Sequence, residues 1–400
     1  MKVVFLSTYP PAPCGIGDYT RELRQAVERG ADDVTVEVVA ERHPAVEREV
    51  DGNVERAWKR GGDWDTAAAA AVIARRPAVV HIQHEEAILH QDARLIRFLE
   101  TVGKAGIARV LTLHSVYGGM LGVPIFWWPP PMFHRAIAAN AEAIVVHQQE
   151  GGRDVLERHR VAPDKIQVIA HGTPHVDGGS RAAARARLGL PADAKIALFF
   201  GVIHPKKNLQ TIVAAAGAVA AAVPGFRLLI AGRLRDRTVL DAMYGRRLAR
   251  AMGPGTAGGW IDFRGGYIAA ADIPVYLAAA DVVVFPHDQG YGSASGVFHL
   301  ALGAGRACIC SSSPKFGEAR EIFGRKIPAA IAPARDVAAW QRAMIDLLSN
   351  DRLRAEAEAL AQAGAADSAW PVLGRRYAQL YRDLAARSSS APLAPDAARG

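Results

Sequence analysis

Cysteine is scarce in this 400-residue chain, which has only Cys14, Cys308 and Cys310. Three thiols at those spacings give neither a disulfide framework nor a metal-ligand pattern, so buried apolar surface must hold the fold. Long apolar runs are also missing, and none approaches the roughly 20 residues that cross a bilayer. The opening MKVVFLSTYP has no h-region or cleavage site and reads as a first strand, so a cytoplasmic protein is expected. Acid is in deficit: 40 Asp and Glu face 48 Lys and Arg, a formal net charge of +8 that favours anionic partners. No P-loop, zinc pattern or Ser/His/Asp arrangement occurs. No basic helix carries interleaved aromatics, which argues against nucleic acid.

What is present is an alternation of strands and helices. Half of the residues are hydrophobic, and 400 residues exceed one ordinary core, so two domains are expected. Lys2–Ser7, Thr35–Ala40, Val79–Gln83, Val110–His114, Ala143–His147 and Gln167–Ala170 are short and apolar, as parallel strands covered on both faces must be. Helical patterns lie between them, for example Tyr19–Glu28 and Ala67–Arg75. The polar stretch 175–195, with Gly and Pro, reads as a linker. A second series follows: Ile196–Phe200, Leu228–Ala231, Ile261–Arg264, Val282–Phe285 and Ala307–Ser311. The pattern predicts an α/β protein of two doubly wound, Rossmann-like domains, 1–180 and 181–368. Ligands of such sheets bind at the carboxyl ends of strands, so two facing domains would form a cleft. Trp370, Leu373, Tyr377 and Leu380 share one face of a closing helix, 369–387, and a disordered tail, 388–400, is expected after it.

The most informative segment is 281–307, DVVVFPHDQGYGSASGVFHLALGAGRA. A buried strand, Val282–Phe285, leads through a Gly/Ser loop into a helical segment, Gly296–Gly305, with Ser295 as its N-cap. Unpaired N–H groups and the positive end of the helix dipole would face an anion there, a phosphate being the expected visitor; an ordinary turn is the alternative. In the loop STYPPAPCGIGDYT, Gly15 and Gly17 let the backbone approach a ligand or simply turn before a helix near Asp18. In FFGVIHPKKNLQT, Gly201 ends a strand, and Lys206 and Lys207 either neutralise a diphosphate or form a solvated basic turn.

His114 ends an apolar strand, where it can bond a sugar hydroxyl, shuttle a proton or serve structure alone. Asp63 and Asp65 form a DxD, but Asp65 precedes an alanine-rich helix and reads better as its N-cap. His84 and Glu85 end a strand where acceptor contact can occur. His81, His147 and His171 lie at strand ends too, without a metal spacing. Trp127 and Trp128, beside three prolines, form an acceptor pocket, touch a membrane surface, or pack on the core.

Together these segments resemble the family 4 glycosyltransferases of the GT-B fold over about residues 1–387. TYPPAPCGIGDYTREL resembles the family's opening Gly-loop, LTLHS its strand-end His, and IQVIAHGTP the exit from the first domain. GVIHPKKNL is similar to its donor loop, and ADVVVFP and ALGAGRACICSS to the strand and helix around the diphosphate and ribose. The resemblance implies retaining transfer of a sugar from a UDP-, GDP- or ADP-linked donor to a glycan, lipid-linked or small-molecule hydroxyl. No metal or other cofactor is implied, since helix N-termini and basic residues hold the diphosphate. By position, Lys207 matches the donor-loop lysine, His114 the His near the donor sugar, and Gly15 and Gly17 the loop closing over the donor. The family's donor-loop Arg is Val202 here, and its two glutamates fall at Gly292 and Leu300. The remaining donor contacts would come from Gly296 and Val297 N–H groups and from Ser293 and Ser295 hydroxyls. Asp288 would be the carboxylate nearest the donor sugar and His299 a ribose contact. The missing carboxylates leave a non-catalytic nucleotide- or glycan-binding protein, or a sugar-nucleotide epimerase, as alternatives. The basic balance and Trp127–Trp128 point to a peripheral membrane or lipid-linked acceptor.

Overall fold

The computed structural model describes residues 1–44, 46, 51–119 and 128–390. The chain divides into two units, residues 1–172 with 370–400, and residues 173–369. Among the described residues no helix is long and apolar enough to cross a membrane.

The first unit is built on seven parallel strands: β1 (Lys2–Ser7), β2 (Thr35–Glu41), β3 (Val54–Trp58), β4 (Val79–His84), β5 (Ala108–Leu113), β6 (Ala143–Val146) and β7 (Ile166–Val168). Their order is β3-β2-β1-β4-β5-β6-β7, with Val3 opposite Val79 and Phe5 opposite His81. Alternate residues feed opposite faces: Val4, Leu6, Val80 and Ile82 enter one apolar layer, and Val3, Phe5, Val36 and Val38 the other. Strand β4 is buried along its whole length, yet reads VVHIQH. Its polar side chains therefore need internal partners. His81 meets the Tyr381 hydroxyl at 2.7 Å and Thr112 Oγ1 at 2.8 Å.

Helix α1 spans Gly15–Gly30, so Gly15 and Gly17 lie in its first turn and it starts before the expected Asp18. Helix α2, Trp64–Ala74, has Asp63 in the N-cap position, without a side-chain cap bond. Asp65 is not the N-cap; it is buried in the first turn, where its carboxylate accepts from Arg97 Nε at 2.9 Å.

The second unit repeats the winding in β8 (Lys195–Phe200), β9 (Phe226–Ala231), β10 (Ile261–Arg264), β11 (Val282–Phe285), β12 (Ala307–Ser311) and β13 (Ile331–Ala332). The order is β10-β9-β8-β11-β12-β13, all parallel. The stretch read as a linker is instead part of this body. Helix α3, Arg181–Arg187, is capped by Ser180, whose Oγ accepts the Ala183 N–H at 3.2 Å. Its Arg185 is buried and donates to Ala279 O, Ala192 O and the Asp281 carboxylate. The division falls at 172/173 rather than 180 because Thr173 N–H donates to Ser368 O and Val176 N–H to Gly303 O, both in the second unit. Helices α4 (Val239–Ala257) and α5 (Gly296–Gly303) follow.

The closing helix α6, Trp370–Ser390, returns to the first unit. Leu373, Tyr377 and Tyr381 are fully buried there. Tyr19 and Tyr377 join hydroxyls at 3.1 Å. Gly374 lies so close to α1 that a Cβ would stand 2.1 Å from Ala26 O. Truncating a buried aromatic such as Tyr377 costs roughly 3–5 kcal/mol, so this helix is integral to the core. It continues through residues 388–390 of the expected tail; residues 391–400 lie outside the described set.

Candidate functional site

Strand order reverses between β8 and β11, so the chain leaves these neighbours in opposite directions and opens a crevice at their carboxyl ends. Gly201 follows β8 with φ +119°. Asn208, left-handed at φ +52°, ties the two loops: its Nδ2 donates to Pro286 O at 3.0 Å and to Ala334 O at 2.5 Å. Asp288 N–H donates to Lys206 O at 3.0 Å.

Two ammonium groups converge here. Lys207 Nζ donates to His287 Nε2 at 2.5 Å. Lys315 Nζ donates to Ser293 Oγ and to Ala294 O, both at 2.8 Å. Burial lowers Lys207 from 10.5 to about 8. Burial first, then the charges of Lys207 and Lys315, hold the His287 ring well below its ordinary range, so it is neutral. Ser311 Oγ fixes the His287 carbonyl at 2.6 Å.

Helix α5 starts just beyond Ser293 and Ala294. Ser295 occupies its N-cap position, as expected, but its hydroxyl makes no cap bond. The first N–H groups of a helix have no intrahelical acceptor, and a Cβ at Gly296 would meet nothing within 4 Å. Val297, the next residue, lies alongside Gly201. Two ammoniums, serine hydroxyls and an open helix start suit a diphosphate. Among the described residues, no group of three or more His, Cys, Asp or Glu side chains could hold a metal.

The other second-unit positions are engaged elsewhere. Lys206 lies 5.4 Å from the centre of the Tyr291 ring. Asp288 accepts from Arg335 Nε at 2.6 Å. His299 is fully buried, with Nδ1 2.7 Å from Thr173 Oγ1 and Nε2 3.1 Å from Glu318 Oε2. Both ring nitrogens are thus committed, leaving none for a ribose hydroxyl.

In the first unit, β5 delivers His114 into a buried histidine row. Its Nε2 is 3.0 Å from Gln83 Oε1, its Nδ1 is 3.3 Å from His147 Nε2, and the Tyr19 ring meets it edge-on at 4.7 Å. Burial, then His147, holds His114 well below its ordinary pKa, so it is a neutral imidazole. His147 Nδ1–H donates to Ile169 O, and His171 packs on Tyr19. A Cβ at Gly15 would be in the open, whereas one at Gly17 would crowd Tyr9 N at 3.2 Å. His84 is buried against Phe133, and burial lowers it to about 4. Glu85 accepts from Ser115 Oγ at 2.9 Å. Trp128 packs half-buried on the core, and its backbone N–H donates to Gln91 O; Trp127 lies outside the described residues.

The sequence reading missed Asn208, His287 and Lys315. A polar Asn directly before a helix, in KKNLQT, is a recognisable left-handed position. Nothing local marks Lys315, which joins Ser293 across 22 residues.

The family model described as Glycosyltransferase Family 4 matches residues 13–175, and that described as Glycosyl transferases group 1 matches residues 194–350. D-inositol 3-phosphate glycosyltransferase of Saccharomonospora viridis is 27% identical over 255 residues, 62% of this chain and 56% of that protein. The Corynebacterium glutamicum enzyme of the same name is 24% identical over 264 residues, 62% of this chain and 59% of its own. The chain thus matches a little over half the length of these curated relatives. Among solved structures, HepE of Anabaena in complex with UDP superposes with a TM-score of 0.71 at 15% identity, covering 96% of this chain and 100% of that one. Sucrose-phosphate synthase of Thermosynechococcus elongatus gives 0.71 at 19% identity, covering 97% and 100%; at such identities the likeness is one of fold. The two matched domains, in that order and on two doubly wound parallel sheets, show that the chain belongs to the family 4 glycosyltransferases of the GT-B fold.

Proposed function

We propose that the chain transfers a sugar from a nucleoside diphosphate sugar to an acceptor hydroxyl, with retention at the anomeric carbon and without a metal ion. The observation that carries this reading is the convergence of Lys207 and Lys315, through His287 and Ser293, beside the open start of α5. Two ammoniums and helix N–H groups supply the positive field that a divalent cation provides elsewhere. They stabilise charge that grows on the diphosphate as the bond from the anomeric carbon to phosphate oxygen breaks. The acceptor oxygen bonds that carbon on the face the diphosphate leaves, and its proton passes to the departing phosphate oxygen, so atoms and charge balance without a protein nucleophile.

The curated relatives are inositol-phosphate glycosyltransferases, and HepE holds UDP. The UDP complex supports a nucleotide-linked donor; the acceptor in this reading is a glycan, lipid-linked or small-molecule hydroxyl. The test is titration with UDP, GDP and ADP, then turnover of the matching sugar donors in the presence of EDTA, with the product anomer read by NMR. Failure of all three nucleotides to bind sinks the reading, and an inverted product removes retention. Gly292 and Leu300, which stand where the family has glutamates, favour one second reading, a binding protein without turnover. Binding of a nucleotide with no transfer or donor hydrolysis would select it.

A further inference from the structure

We infer that the second unit docks on an anionic lipid surface through the outer face of α4, independently of the donor site. The start of this helix is fixed by a reciprocal cap: Thr238 Oγ1 accepts the Asp241 N–H, and Asp241 Oδ2 accepts the Thr238 N–H, both at 3.1 Å. Arg235 Nε donates to the same buried carboxylate at 2.9 Å. The inner face carries Asp241, Leu248, Met252 and Gly255. With about 100° per residue, Val239, Leu240, Met243, Arg246, Arg247 and Arg250 fall within an arc of roughly 120° on the opposite side.

Val239 is 76% exposed and Leu240 71%. Two large aliphatic side chains held in water at a rigidly capped helix start are a departure from ordinary surface chemistry. Arg246, Arg247 and Arg250 are exposed and have no carboxylate partner among the described residues, whereas Arg235 has one. Between residues 233 and 250 six arginines face two aspartates, and Asp241 is turned inward. An apolar tip followed by unpaired arginines on the same face complements a plane of lipid phosphates over acyl chains. The aliphatic residues enter the headgroup boundary, and the guanidinium forks bond phosphate oxygens behind them.

The test is flotation of the full chain with vesicles of phosphatidylcholine alone and of phosphatidylcholine mixed with phosphatidylglycerol. The expected result is binding to the mixed vesicles only, weakened by salt. Replacing Arg246, Arg247 and Arg250 together by Glu should lower partitioning at least ~100-fold. Val239→Ser with Leu240→Ser, which leaves every charge in place, should lower it roughly 10-fold. All five positions are exposed, so an unchanged melting temperature identifies variants that remain folded. Equal binding to both vesicle types, or full binding by either folded variant, overturns the proposal. Capture by single-stranded RNA without vesicle binding overturns it in favour of a nucleic-acid surface.

Discussion

Lys207 and His287 share a 2.5 Å hydrogen bond in which a half-buried ammonium donates to a buried, neutral ring. The bond holds the cation in place where burial opposes its charge. That opposition makes the group responsive to pH and to the arrival of an anion.

With Lys207 lowered to about 8, nucleoside diphosphate affinity should fall as pH rises from about 7 to about 9. Lys207→Arg, which keeps its charge throughout, should flatten the profile. Calorimetric titration across this range checks it, and an equally steep profile in the Arg variant would exclude Lys207 as the titrating group. For folding the sign is opposite. An unfolded lysine keeps its proton to 10.5, so between about 8 and 10.5 the unfolded chain binds more protons and this group makes stability rise with pH.

Lys315→Ala should weaken nucleoside diphosphate binding by roughly 10- to 100-fold, the worth of a hydrogen bond to a charged group. Monophosphate binding should change less. Adding Val202→Arg should recover part of the loss, because position 202 lies in the same loop as Lys207. Dissociation constants for the wild type, the single variant and the double variant decide it. An unaltered constant in Lys315→Ala would remove this residue from the clamp.

Two glycines separate fold from site. At Gly232, φ is +149° and a Cβ would stand 2.0 Å from Gly201 O. Gly232→Ala should cost about 2–4 kcal/mol and lower the melting temperature by several degrees. Gly296→Ala meets nothing within 4 Å and should melt like the wild type, yet bind nucleoside diphosphate more weakly because its methyl group occupies the approach to the helix start. Thermal melts paired with titrations separate the two, and a wild-type melt for Gly232→Ala would contradict the packing argument.

Acid should destabilise the first unit through its buried histidines. Burial lowers His81 and His134 to about 3 and His84 to about 4. The unfolded rings protonate near 6.5, so the unfolded chain binds more protons from about pH 6.5 down to about 4, and stability falls over that window. Urea midpoints across it give the slope. His84→Phe, retaining an aromatic face towards Phe133, should reduce the slope by about one proton. An unchanged slope would show that His84 is not buried in its neutral form.

Both sheets could be read from the chain because parallel strands covered on two faces leave continuous apolar runs such as KVVFLS and VVVF. Strand β3, VERAW, escaped notice because an edge strand needs only its Val54 and Trp58 ends buried. The segment SRAAARAR looked like a linker because its decisive partner, Asp281, lies 96 residues from Arg185. The donor loop was legible in part for the same reason. Lys207 follows a strand directly, whereas His287 and Lys315 reach the site through contacts spanning 80 and 22 residues.

The return of α6 to α1 also bears on synthesis. The Tyr19–Tyr377 contact and the Gly374 approach to Ala26 join residues more than three hundred positions apart in one core. During translation residues 1–172 emerge before the second unit but lack this wall until α6 leaves the ribosome. The second unit has all of its residues earlier. The first unit is therefore completed after the second, and a nascent chain halted before Trp370 exposes the surface that Tyr377 and Tyr381 would cover.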